Sequence, residues 1–157
     1  RRLEKSLRLQ NADLEIDYNL YEAGLARPKV KAADFQGKAA YVQQRELDQQ
    51  AAYLCTFMLQ DTTDSDGVVR YPVGNWPILD PETKEVIIDS HGRRSYTTSM
   101  AFGPSLGANI AMGYLPADQA KEGDIVLIEY FGEHYEAKVM KVGYGALLDP
   151  TNERPKS

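Results

Sequence analysis

The chain holds one cysteine, Cys55, among its 157 residues. An internal disulfide is therefore excluded, and the apolar setting "AAYLCTFML" reads the thiol as a small core residue rather than a nucleophile. There are two histidines, His91 and His134, and neither has a second His or Cys at ligand spacing, which argues against a zinc site. No apolar run approaches the roughly 20 residues of a membrane span, and the first residues lack the charged, apolar, small-residue order of a secretory signal. Cations are outnumbered, 18 Lys and Arg against 23 Asp and Glu, for a formal net charge of -5. Nucleic-acid and acidic-membrane surfaces need clustered cations to displace counterions, so neither partner is expected. These absences point to a soluble protein, cytoplasmic or of a mitochondrial matrix.

Self-contained catalytic motifs are also missing. No G-x-S-x-G elbow occurs, no Ser, His and Asp set stands in a nucleophile motif, and pairing two of the scattered carboxylates as acid and base would be arbitrary. The stretch "FGPSLGANIAMGYLP" offers Gly103, Gly107 and Gly113, but a dinucleotide loop needs G-x-G-x-x-G spacing with a helix behind it. Here a strand-like run follows, so the stretch reads as a corner between strands, with Ile110, Met112 and Tyr114 on one face by alternation.

What is present is enough apolar residue, 43%, to bury one core. "RRLEKSLRLQ" reads as the end of an element whose beginning is missing, and residues 17–24 as an irregular turn. "DFQGKAAYVQQRELDQQ" predicts a helix over residues 35–48, with Asp34 capping it and Ala39, Ala40, Val42 and Leu47 on its apolar face. Strands are expected at residues 52–60, 77–80, 86–89, 94–100, 109–115, 124–131 and 133–140, with a hairpin turn around Gly132. "DTTDSDG" reads as a turn cluster, its Asp residues turn formers rather than calcium ligands. The tail "DPTNERPKS" is polar and Pro-broken, an exposed end unless contacts tie it down. The expected architecture is mainly β with one helix, an antiparallel β-barrel.

Taken in order, "LEKSLRL", "EIDYNLYEAGL", "ADFQGKAA", "TSMAFGPSLGANIAMGYLP" and "YEAKVMK" resemble the C-terminal region of the glycine-cleavage T-protein (aminomethyltransferase) family. The stretches "YPVGNWPILDPETKEVIIDSHGRRSYTTS" and "LLDPTNERPKS" are closer to its dimethylglycine and sarcosine dehydrogenase branch. The resemblance implies that residues 1–33 end a folate-binding domain, residues 34–148 form the C-terminal barrel, and residues 149–157 are a tail. It implies tetrahydrofolate as cofactor, a small methylated amine as substrate, and upstream folate and FAD domains as partners, with the catalytic carboxylate in a portion absent from this sequence.

No catalytic or metal residue is thus expected within the chain. The resemblance carries three cofactor-binding residues. Glu4 matches the acidic residue that grips the pterin ring, a fitting role because a carboxylate accepts parallel N–H bonds from a 2-aminopyrimidinone edge. Lys29 and Arg154 match basic positions that meet a glutamate or substrate carboxylate. Ser6 stands where the family has Gly, and Tyr21 where it has Pro. Two other readings stay open: a stand-alone barrel acting as a binding module, and a folate-dependent demethylase of the same superfamily.

Overall fold

The computed structural model describes residues 1–27, 29–71, 73–151 and 153. Among these described residues, one α-helix and six strands follow in order: α1 (Lys38–Arg45), β1 (Ala52–Leu59), β2 (Ile78–Leu79), β3 (Thr97–Gly103), β4 (Ala108–Pro116), β5 (Ile125–Tyr130) and β6 (Glu133–Val142). The strands form one antiparallel sheet in the order β2-β5-β6-β1-β4-β3. Register shifts at Thr56/Phe57 and Thr97/Ser99 add local twist and help the sheet curl. Its two edges then meet: Thr97 N–H donates to the Trp76 carbonyl, Ile78 N–H to the Ser95 carbonyl, and Pro77 bridges Tyr96.

The hydrophobic pattern explains this closure. Phe57, Leu59, Ile78, Leu115, Ile128 and Val139 are fully or nearly fully buried in one cluster with Cys55, and each such side chain contributes about 1.5–3 kcal/mol relative to exposure. Burial pushes the Cys55 thiol up to about 12, so the group is an inert core residue at neutral pH, as expected from its setting.

Strand β4 is buried along its whole length. Ala111 and Leu115 face the barrel cluster, whereas Ile110, Met112 and Tyr114 join a second cluster with Leu3, Ala52 and Leu54, flanked by Tyr18 and Leu147. The alternation expected for this strand is therefore real, and its outer face is covered by the first and last segments of the chain. The corner before it is a turn too: Leu106 and Gly107 N–H groups return to the Gly103 carbonyl, and a strand, not a helix, follows.

Several boundaries differ from the sequence reading. Helix α1 is shorter than expected, and its cap is Gly37 at φ 82 rather than Asp34, with no side-chain cap bond and no buried residue. A short helix with no buried face gains little from tertiary packing, and its ends fray. Residues 86–89 make only isolated bridges, Leu79 with Val86 and Ile88 with Arg94, because turns on both sides limit pairing. The opening segment is a single 3-10 turn, Leu3–Lys5, ended by Ser6 at φ 58. That left-handed backbone is where Gly is cheapest.

The β5–β6 hairpin turns through Phe131 and Gly132, both at positive φ, between Tyr130 and Glu133, a geometry suited to the twist of the flanking strands. "DTTDSDG" is a turn as expected: Asp64 Oδ1 accepts from the Asp66 and Val68 N–H groups, and Asp61 Oδ1 from Thr63.

Gly113 lies opposite Cys55 in the middle of β4, and a Cβ there would stand 2.5 Å from the Tyr96 carbonyl oxygen and 2.8 Å from Ile78 Cδ1. Both neighbours belong to the seam that closes the sheet. Gly113→Ala is therefore expected to destabilise the fold by about 1–3 kcal/mol through overpacking, read as a lower urea midpoint. A midpoint unchanged from wild type would contradict this packing.

Candidate functional site

Three polar clusters lie between the N-terminal segment and the barrel. In the first, the 3-10 turn carries Glu4 inward, where it is 1% exposed. The Ser105 N–H, from the β3–β4 corner, donates to Glu4 Oε1 at 2.9 Å. The Leu147 and Leu148 N–H groups donate to the Glu4 carbonyl, so the chain's last segment locks the same residue from the other side. Glu4 Oε2 has no hydrogen-bond partner, and the amino-terminal nitrogen of Arg1 stands 3.5 Å from it. Burial raises the Glu4 pKa, the Ser105 N–H lowers it, and the net shift is downward. At neutral pH the group is an anion, an acceptor only.

In the second cluster, Asp13 is fully buried. Its carboxylate accepts from Arg2 at 2.7 Å, from the Leu9 N–H at 2.8 Å, and from the Thr98 hydroxyl of β3. Its carbonyl accepts from the Tyr114 hydroxyl of β4 at 2.8 Å. Every strong acceptor here is engaged, so the cluster fastens the N-terminal segment to the sheet.

In the third, Arg93 reaches from the β2–β3 connection. Its guanidinium meets Glu22 at 2.5 Å and Asp89 at 2.7 Å, donates to the Asp17 carbonyl, and lies 4.3 Å from the Tyr18 ring centroid. Tyr18 stacks in turn on Tyr114, centroids 3.5 Å apart and planes 4° from parallel. Burial lowers the Arg93 pKa, but its bonds to Glu22 and Asp89 raise it more. For Asp89, burial raises the pKa, while the Arg93 N–H and guanidinium and the His91 N–H lower it, and the net shift is downward.

Of the expected site residues, Glu4 and Lys29 stand apart. Glu4 is in the first cluster. Lys29 is exposed and lines a separate groove of about 400 Å³ with Arg27, Lys31, Leu20, Leu25, Val30, Phe35 and Tyr41. Arg154 lies outside the described residues. Sequence reasoning missed Asp13, Glu22, Arg93 and Ser105. Glu22 and Arg93 are 71 residues apart, and no local spacing links them. Ser105 contributes through its backbone N–H, which no side-chain motif reports.

Arg93 joins two carboxylates that are 3% exposed. Arg93→Met leaves both without their cation and is expected to cost about 3 kcal/mol, measured by urea unfolding; a loss under about 1 kcal/mol would contradict the hub role. Because the folded Asp89 pKa is depressed, its contribution is present above the ordinary aspartate value and is lost as pH falls through the lower folded value. Wild-type stability should therefore fall in that acid window more steeply than that of the variant.

Residues 74–142 match the glycine cleavage T-protein C-terminal barrel domain. Over 140 residues the chain is 29% identical to an aminomethyltransferase of Koribacter versatilis, covering 88% of this chain and 33% of the relative. Over 155 residues it is 28% identical to the mitochondrial dimethylglycine dehydrogenase of Rattus norvegicus, covering 98% and 16%. The crystal structure of the glycine cleavage system aminomethyltransferase T from Bartonella henselae superposes with a TM-score of 0.70 at 25% identity, over 89% of this chain and 36% of that one. The chain thus spans about a third of the aminomethyltransferase and a smaller share of the dehydrogenase. Its closed antiparallel sheet thus carries, over residues 74–142, a glycine cleavage T-protein C-terminal barrel domain, and most of the chain is similar to aminomethyltransferases and dimethylglycine dehydrogenases.

Proposed function

We propose that the chain forms one wall of a tetrahydrofolate-dependent one-carbon transfer protein, and that Glu4 binds the pterin ring. The observation that carries this reading is Glu4 itself: a buried carboxylate with Oε1 held by the Ser105 N–H and Oε2 without a hydrogen-bond partner. A buried carboxylate oxygen without a hydrogen-bond donor is costly, and a pterin edge carries N–H groups of the right kind. Bound tetrahydrofolate supplies the N5 and N10 amines that take up the one-carbon unit. This chain's residues orient the ring and help exclude water, which gains rate through positioning.

In this reading residues 1–33 end the folate-binding domain, residues 34–148 are the barrel and residues 149–157 the tail. Large apolar side chains stay exposed over the first 47 residues, among them Leu7, Leu9, Ile16, Leu20, Phe35 and Leu47, which supports a cover from the upstream domain. Lys29, with Arg27 and Lys31 beside it, offers cations to a carboxylate, and Arg154 is assigned a similar role. A small methylated amine is the donor, and an FAD domain upstream follows if the dehydrogenase branch applies. The compartment is cytoplasm or mitochondrial matrix; no helix among the described residues is long and apolar enough to cross a membrane.

The test is titration of tetrahydrofolate into the intact protein beside Glu4→Gln, which keeps the shape and removes the charge. A charge-assisted hydrogen bond contributes about 1.5–3 kcal/mol, so the variant should bind about 10- to 100-fold more weakly. Equal affinity in the two proteins would remove Glu4 from the folate site.

A further inference from the structure

The loop after β1 and the β5–β6 hairpin enclose a cavity of about 360 Å³ that none of the three clusters above uses. Antiparallel order puts the end of β1, the β3–β4 corner and the β5–β6 turn at one end of the sheet, and the cavity opens there. Its wall carries three carboxylates, Asp64, Asp66 and Glu133, against one guanidinium, Arg70. That guanidinium is already committed to Asp64, Nε to Oδ2 at 2.6 Å. Ser65 donates to Glu133 Oε1, which ties the loop to the hairpin. The net charge facing the cavity is therefore negative, and an anionic ligand is disfavoured.

A second observation is independent of the charges. Tyr135 lines the cavity and is 4% exposed, yet its hydroxyl has no hydrogen-bond partner. Tyr135 shares the cavity wall with Asp64 and Glu133, and its pKa is raised, first by burial and then by those two carboxylates. Buried hydroxyls are ordinarily paired, and this one is left for something that enters.

The rest of the wall is aromatic. Tyr130 and Phe131 line the cavity at 4.6 Å from each other, and Trp76 packs edge-on against Tyr130. Carboxylates, a phenol oxygen and ring faces together favour a cation with an apolar body. A bare metal ion fits poorly, because no group of three or more His, Cys, Asp or Glu among the described residues converges on one point.

We propose that this cavity binds a small alkylammonium cation, its N–H groups shared between the Tyr135 hydroxyl and the Asp66 and Glu133 carboxylates and its alkyl part against Tyr130 and Phe131. The probe is n-butylammonium, titrated calorimetrically into the intact protein beside 1-butanol and butyrate. Saturable binding is expected for the cation alone, with a Kd of about 1–10 mM, the range for a few solvent-facing contacts. The Asp66→Asn/Glu133→Gln double variant should bind at least about tenfold more weakly. Tyr135→Phe should also weaken binding while its Tm holds or rises, because no protein group loses a bond. Equal binding of 1-butanol, no saturation below about 50 mM, or unchanged affinity in the double variant would each overturn the proposal. Glu4→Gln should leave the titration unchanged, so this result and the folate result are independent.

Discussion

A strand buried on both faces needs two covers, and β4 is such a strand. The barrel interior supplies one: Ala111 and Leu115 join Cys55, Phe57, Ile78 and Ile128. The other must come from outside the sheet, and here the chain's first residues provide it, with Leu3 and Tyr18 against Ile110, Met112 and Tyr114. The segment that covers β4 also carries Glu4, Asp13 and Glu22. Packing of an apolar strand face thus fixes where the polar clusters stand.

The order of dependence runs from packing to charge. Most backbone bonds of the N-terminal segment close local turns within residues 1–26, so its position on the barrel is set by its longer-range contacts. The Tyr18 ring stacked on Tyr114, the Asp13 carboxylate held by Arg2 and Thr98, and the Arg93 bridge to Glu22 are three separate attachments along one segment. Each holds a different stretch of residues 1–22. The first cluster is the endpoint of that arrangement: Glu4 is tied by its side chain to the β3–β4 corner and by its carbonyl to residues 147 and 148. A residue held by both its side chain and its backbone is pre-organised.

Much of the barrel was legible in the sequence because its signals are local. Alternation in "ANIAMGYLP" and in the β5–β6 pair, and Gly132 between them, depend only on neighbours along the chain. The helix was legible in kind but not in extent: its period was visible, whereas its lack of a buried face, which leaves eight residues in place of fourteen, depends on what surrounds it. Residues 86–89 failed as a strand for a related reason. β-branched composition shows fitness for a sheet, and pairing needs a neighbour in register. Of the polar clusters, the sequence marked only Glu4, and there through a resemblance. Arg93, Glu22 and Asp89 look like ordinary surface charges in sequence, and only the fold brings them together.

The corner "FGPSLG" shows how an unremarkable turn acquires a role. Its glycines have no phosphate-loop spacing, and Gly107 sits at φ 66 because the chain must reverse there. Yet reversal leaves a backbone N–H, that of Ser105, pointing out of the sheet ladder with no strand partner to satisfy it. A neighbouring carboxylate is the natural acceptor, since a buried amide that finds none costs free energy. Close approach is also required: a Cβ on Gly103 would come within 3.3 Å of Glu4 Oε1 and 2.5 Å of Ile110 Cδ1. The small residue therefore admits the carboxylate and the turn supplies its donor. In a β-barrel the hairpin tips are where unpaired N–H groups concentrate, so an anion held beside one needs no dedicated cation. Glu4 thus has one oxygen oriented by the turn and a second with no hydrogen-bond partner.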